Sequence, residues 1–238
     1  VQLIVASTTG HPIGARLTFL QDSPADTAVN ASVVPLNLTE WDFSGDPAVT
    51  DFSLVETEFG AGFNLTPGIA NEGVYAAERS LGDLGIFDVV ALRFRILIED
   101  LPTAIEDRRW FQSVATLSDE QGRSWSVNLS NTIEGGMRFN TGFFVPQDIS
   151  GGASAEISHS PGTWHCVELV LDAAGNPASE LLVDAETLVA LTDDEAAEHG
   201  STFALSLGPR WLEESDLAPA ITIADVAVSD TPLGCEPN

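Results

Sequence analysis

The chain has 238 residues, room for one large domain, with 44% hydrophobic residues to fill a core and 20 Gly plus 13 Pro to turn the backbone often. Thirty-six acids face nine bases, a formal charge of −27, which repels nucleic acid and anionic lipid and removes both from the expected partners. All nine bases are Arg, so a Schiff-base lysine, a phosphate-loop lysine and a lysine general base are excluded.

The acidity has two readings. One is solubility, an adaptation to salty surroundings; the other is cation binding, which requires clustered carboxylates and not merely many. No run reaches the roughly 18 apolar residues of a membrane helix, so no direct membrane span is expected. The opening Val1-Gln2-Leu3-Ile4-Val5-Ala6 lacks the basic region of a signal peptide, and Val1 as first residue suggests a trimmed chain. Glycosylation sequons occur at Asn30, Asn37, Asn64 and Asn128.

In chain order, residues 1–35 read as an N-terminal strand or hairpin extension, or as the remnant of a preceding segment, with Ala15–Leu20 the clearest run, and residues 36–238 as one sandwich domain. Short β-rich runs follow at Phe52–Val55 and Gly73–Ala77. Asp88–Ile98 is the cleanest strand: Leu92, Phe94, Ile96 and Ile98 face one way, Arg93 and Arg95 the other. Trp110–Leu117 is the next strand, Asp119–Gly122 a turn, and Ser124–Leu129 the return, with Trp125, Val127 and Leu129 inward and Ser124, Ser126 and Asn128 outward. After the turn Glu134-Gly135-Gly136, Met137–Asn140 continues the meander with Arg138 and Asn140 outward. Thr163–Asp172 and Leu181–Val189, joined by a Gly/Asn/Pro turn, form a hairpin in which Val167, Leu169 and Leu171 share a face opposite Glu168. Thr192-Asp193-Asp194-Glu195 has the form of a capping box and starts one short helix, stopped by Gly200. Phe203–Gly208 is the penultimate strand, and the chain closes on the run Ile221–Cys235. Many short strands with turn signals between them, and no repeat, specify an all-β, two-sheet antiparallel β-sandwich.

The hairpin at Thr163–Val189 and the closing run Ile221–Gly234 resemble those of concanavalin A-like, laminin-G-like jelly rolls, most specifically over residues 163–235. Thr39–Asp46 is similar to the opening segment of many such domains. The resemblance implies a jelly roll that is secreted, periplasmic or exposed at the cell surface. It also implies one disulfide, Cys166 to Cys235, in an oxidising compartment; two unpaired thiols are the other reading. Carboxylates matching those that hold a structural calcium ion in several such families are Glu40, Asp42, Asp46 and Asp225; solvated acids are the other reading, and Ala224-Asp225 supplies one acid where the families have a pair.

Catalytic signatures are missing: no G-x-S-x-G, H-E-x-x-H, C-x-x-C or phosphate loop occurs. Glu56-Thr57-Glu58 is the nearest approach to the paired carboxylates of a glycosidase, and His159, His165 and Tyr75 match a polysaccharide lyase by residue type only. His11 and His199 have no surroundings that suggest a metal. Arg93, Arg95, Ser126, Asn128, Arg138 and Asn140 fall on the non-core side of their strands and suit sugar hydroxyls or carboxylates. In the resembling family such a face binds sugars or proteins; neutralising nearby acids is the alternative for Arg93 and Arg95. Trp110 and Trp211 are candidate stacking platforms, and Trp211 equally fits a plug at the end of the core. The expected function is non-catalytic and lectin-like, recognising a glycan or a cell-surface partner. The alternatives are an accessory subunit of a larger extracytoplasmic assembly and a polysaccharide-cleaving enzyme.

Overall fold

The computed structural model describes residues 32–34, 36, 38–68, 72–83, 88–99, 110–131, 136–146, 149–157, 162–172, 179–191, 198–209, 212–213 and 218–235. These residues form two antiparallel sheets, and their only helical element is a 3₁₀ turn, Leu38–Glu40. The expected capping box at Thr192–Glu195 lies outside them, as does most of the 1–35 stretch.

In chain order the strands are β1 (Ser32–Val33), β2 (Asp42–Gly45), β3 (Thr50–Thr57), β4 (Gly60–Pro67), β5 (Glu72–Gly73) and β6 (Tyr75–Asp83). Next come β7 (Val89–Ile98), β8 (Phe111–Asp119), β9 (Ser124–Asn131), β10 (Met137–Val145), β11 (Ile149–Ile157) and β12 (Trp164–Asp172). The chain continues through β13 (Ser179–Val183), β14 (Glu186–Leu191), β15 (Thr202–Leu207) and β16 (Leu212–Glu213), and β17 (Ile221–Ser229) closes it. One sheet has eight strands, in the order β14-β13-β12-β7-β17-β4-β3 with β1 paired to β17. The other has nine, in the order β11-β10-β9-β8-β15-β6-β2, with β16 pairing β8 and the short β5.

The period-two pattern explains the layering. On β7, Leu92, Phe94, Ile96 and Ile98 are fully buried and alternate with half-buried Arg93, Arg95 and Leu97. On β9, Trp125, Val127 and Leu129 are buried against them from the other sheet, within one continuous core. Full burial of each such Phe, Leu or Ile contributes roughly 1.5–3 kcal/mol relative to exposure.

Three departures from the sequence pattern position the surfaces. The expected single strand Leu181–Val189 is two strands, because Asp184 and Ala185 both have positive φ (52° and 68°) and make a two-residue hairpin turn. Such a turn matches strand twist when both central residues are left-handed. On β8 the register to β9 slips between Ser113 and Ala115, and on β17 the register to β7 slips between Ala224 and Ala227. Both are bulges, in which one extra residue switches which side chains share a face. Strands β4 and β11 were illegible because Gly60, Gly62, Gly151 and Gly152 lower their β-propensity.

Candidate functional site

The outer face of the nine-stranded sheet carries a groove of about 470 Å³. Its floor is made of hydroxyls. Register pairs Ser113 with Asn128, Thr116 with Ser126 and Ser118 with Ser124 across β8 and β9, and Ser206 with Thr116 across β15 and β8. The bulge on β8 makes this possible: Ser113 and Thr116 are three apart in sequence yet both line the groove. Ser113, Thr116, Asn128 and Ser206 are each 5% exposed or less, so the floor is fixed by its neighbours. Asn128 Nδ2 donates to Ser126 Oγ at 3.0 Å, and Ser126 Oγ lies 3.4 Å from the Gly142 carbonyl.

The walls differ. At one end stands Phe144 on β10, 51% exposed, beside Ser124. At the other stands Glu78 on β6, with Ser206 Oγ 3.5 Å from its Oε1. From β6 to β10 the groove crosses five strands, four spacings or about 19 Å, so it suits an elongated ligand. Beyond β9 the face stays low because Gly142 and Gly152 are register partners; a Cβ at Gly152 would come within 2.6 Å of the Thr141 carbonyl oxygen.

Solved structures share this architecture at low sequence identity. The Emp46p carbohydrate recognition domain in its potassium-bound form superposes with a TM-score of 0.54 at 12% identity, covering 82% of this chain and 91% of that one. The Emp47p carbohydrate recognition domain gives 0.53 at 11% identity, covering 84% and 90%. The binding domain of botulinum neurotoxin serotype G gives 0.52 at 13% identity, covering 83% of this chain but 44% of that chain, so this chain spans less than half of it. The chain has the jelly-roll fold. No family model matches it, and no curated protein matches its sequence.

The jelly roll divides the sequence-derived candidates between its two faces. Ser126, Asn128, Arg138 and Asn140 share the outer face of the nine-stranded sheet. Ser126 lines the groove, Asn128 supports it, Asn140 Nδ2 donates to Ser130 Oγ at 3.1 Å, and Arg138 pairs with Glu156 at 3.0 Å on the flank. Arg93 and Arg95 are not part of that face, because β7 belongs to the eight-stranded sheet. There the bulge on β17 turns Asp225, at φ 50°, outward between them, 3.0 Å from Arg93 Nη2 and 3.6 Å from Arg95 Nε. The Arg95 guanidinium also lies 4.3 Å over the Phe59 ring. Neutralisation of an acid, the alternative reading, is the use this geometry gives both arginines. Trp110 is 3% exposed and part of the core, which removes it as a platform; Trp211 lies outside the described residues.

The four expected calcium ligands are not gathered. Glu40 pairs with Arg79 at 2.8 Å, Asp46 Oδ1 accepts the Ala48 N–H at 2.9 Å, and Asp42 sits on β2 at the sheet edge opposite Glu78. Asp225 is on the other sheet, so first and last strands do not bring these carboxylates together. Among the described residues no three His, Cys, Asp or Glu side chains are placed to hold a metal ion.

The catalytic candidates are dispersed as well. Glu56 is on β3 and Glu58 in the turn after it, on the eight-stranded sheet. Buried His165 sits with Nδ1 2.7 Å from Asp184 Oδ2, and Tyr75 packs on Phe43 and Phe52. His199 Nδ1 lies 2.8 Å from the Gly200 carbonyl oxygen; His11 and His159 lie outside the described residues. Cys166 and Cys235 are bonded, with Cα atoms 5.7 Å apart. Among the described residues no helix is long and apolar enough to cross a membrane.

Proposed function

We propose that this chain is a lectin-like binding domain that takes an elongated glycan in the groove on the outer face of its nine-stranded sheet, in an extracytoplasmic setting. The observation that carries the reading is the composition of the groove: a floor of Ser and Thr hydroxyls, backed by Asn128, ending on an exposed aromatic, Phe144. Hydroxyls and amides donate and accept toward sugar hydroxyls, and an aromatic face accepts the apolar side of a sugar ring. Similarity in fold to carbohydrate recognition domains supports it, by analogy of architecture alone. The disulfide fits an oxidising compartment.

A glycan-array screen tests this, using the native chain, Ser126→Trp to fill the groove and Phe144→Ala to remove the aromatic wall. Binding by the native chain that is lost in Ser126→Trp and weakened at least tenfold in Phe144→Ala is the expected result. A chain that retains every glycan in Ser126→Trp, or binds none at all, overturns it.

One further reading has its own observation. Phe43, Leu54 and Val74 are 37%, 47% and 37% exposed where the edge strands β2 and β3 meet, around a cluster in which Phe52 contacts both Phe43 and Tyr75. An exposed apolar edge of this kind fits docking within a larger assembly, and a pull-down with Leu54→Asp as the control separates it from glycan binding.

A further inference from the structure

Strand β3 ends the eight-stranded sheet, and among the described residues no strand pairs with its other side. Its register on β4 sets Phe52 opposite Leu65 and Leu54 opposite Phe63, and both of those partners are fully buried. Directly opposed residues point to the same face of a sheet. Phe52 and Leu54 therefore belong to the core face, yet Leu54 is 47% exposed. The reason lies in the opposing sheet, whose edge strand β2 has four residues against eight in β3. Phe43 of β2 packs on Phe52 at 5.2 Å between ring centroids, and the core-facing side of Leu54 stands in the open. A strand with an unpaired side and uncovered core-facing apolar groups is a template for one more strand.

The acids on β3 decide which strand fits. Asp51 on the outer face and Glu56 on the core face are both exposed, and the whole chain carries −27. A second copy is therefore a poor occupant. Matching core face to core face in the two best-overlapped registers brings Asp51 of one copy within one position of Glu56 of the other. Resting on the docking reading of this edge and independent of the glycan groove, we infer that β3 is a strand-addition site for a basic, extended segment of another protein. The segment pairs antiparallel with Thr50–Thr57, as β4 does on the other side. Its pattern follows from the register: cation, any residue, apolar, any residue, apolar, cation. The first cation meets Glu56, the apolar pair meets Leu54 and Phe52, and the last cation meets Asp51. Main-chain hydrogen bonds and burial of Leu54 supply affinity, and the two charge-assisted contacts select the sign of the partner.

The test is isothermal titration at low ionic strength, where surface charge is least screened, with the peptide acetyl-Gly-Arg-Thr-Val-Thr-Val-Arg-Gly-amide. Its comparators are a scramble of the same composition, a form with Glu for both Arg, and two forms methylated on the backbone nitrogens of both Thr or of both Val. The native chain should bind the peptide about tenfold or more tightly than the scramble or the Glu form. Methylation of one pair should abolish binding and methylation of the other should leave it, because only alternate N–H groups along a strand face a given neighbour. Leu54→Asp should weaken binding about tenfold, Asp51→Lys/Glu56→Lys should turn the preference toward the Glu form, and Ser126→Trp should change nothing. A native chain that binds no peptide overturns the inference. So does one that binds the scramble equally well, which would be adsorption of a cation to an acidic surface. Two methylated forms that behave alike also overturn it. If the pull-down finds a partner lost in Leu54→Asp while the methylated forms behave alike, docking at this edge stands and strand addition alone falls.

Discussion

Glu120 shows how much one carboxylate can organise. It sits in the turn after β8, and its oxygens accept the backbone N–H groups of Ser201 at 3.1 Å and Thr202 at 2.9 Å, tying that turn to the segment entering β15. Its own backbone N–H, then those of Thr202 and Ser201, hold its carboxyl below the ordinary value of 4.5. A depressed carboxyl stabilises the fold above its unfolded pKa and loses that contribution as pH falls through the folded one. Protection of the Ser201 and Thr202 amides should therefore be full at neutral pH and fall away progressively below pH 4.5. Hydrogen exchange across that range checks it, and Glu120→Gln should flatten the profile. Next to it, Asp119 accepts the N–H groups of Gln121 and Arg123 at 2.9 Å each through Oδ1 and that of Gly200 through Oδ2. The contacts to Gly200, Ser201 and Thr202 were not readable from sequence, since those partners lie some 80 residues away in the chain and only the sheet brings them close, whereas Asp119's bonds to Gln121 and Arg123 are local to the turn.

At the scale of elements, turns and bulges decide what faces where. The β13–β14 hairpin keeps Ala185 at φ 68°, a conformation costing an L-residue roughly 1–2 kcal/mol. Glycine adopts it without that cost but gives back about 0.4–1 kcal/mol through a freer unfolded chain. Ala185→Gly should raise unfolding free energy by about 0.5–1 kcal/mol, seen as a higher denaturant midpoint with an unchanged slope. Asp184 should not be replaced in the same way, because its carboxylate also holds the Cys166 N–H at 2.9 Å and His165. The bulge on β17 leaves a trace in the sequence: buried Ile221 and Ile223 give way to buried Val226 and Val228, a change of parity that marks an extra residue. On β8 the trace is weaker, since Ser113, Val114, Ala115 and Thr116 are small and similar, and the groove floor that depends on that bulge went unseen. Glu78 and Phe144 were missed for a different reason: nothing local distinguishes an acid or a Phe on a groove wall from one on any strand.

For the molecule as a whole, the C-terminal tail is the closing piece. It lies over the eight-stranded sheet, where Glu168, on the non-core face yet 1% exposed, accepts the N–H groups of Leu233 and Gly234. Arg93 Nη1 reaches the Gly234 carbonyl oxygen at 3.4 Å, and the disulfide to Cys166 follows at once. Closing a loop of 69 residues is worth about 4 kcal/mol by the chain-entropy account. The Cys166→Ser/Cys235→Ser variant should thus lose about 4 kcal/mol of unfolding free energy while keeping its sheets. Denaturant unfolding together with circular dichroism checks this, and retained protection of the Gly234 amide would show Glu168 holding the tail without the bridge.

By itself the sequence determined the all-β class, the inward and outward faces of β7, β9 and β12, and the polar character of Ser126, Asn128, Arg138 and Asn140. Those follow from a local rule, the alternation of side chains along a strand, which needs no knowledge of neighbours. Which strands share a sheet is a matter of long-range pairing, and only the tertiary structure decided it. By placing β7 and β17 in one sheet and β8, β9 and β10 in the other, it gave Arg93 and Arg95 to Asp225. The same partition put Asp225 on the other sheet from Asp42, and assembled a hydroxyl groove between Glu78 and Phe144 from five strands that the chain visits out of order.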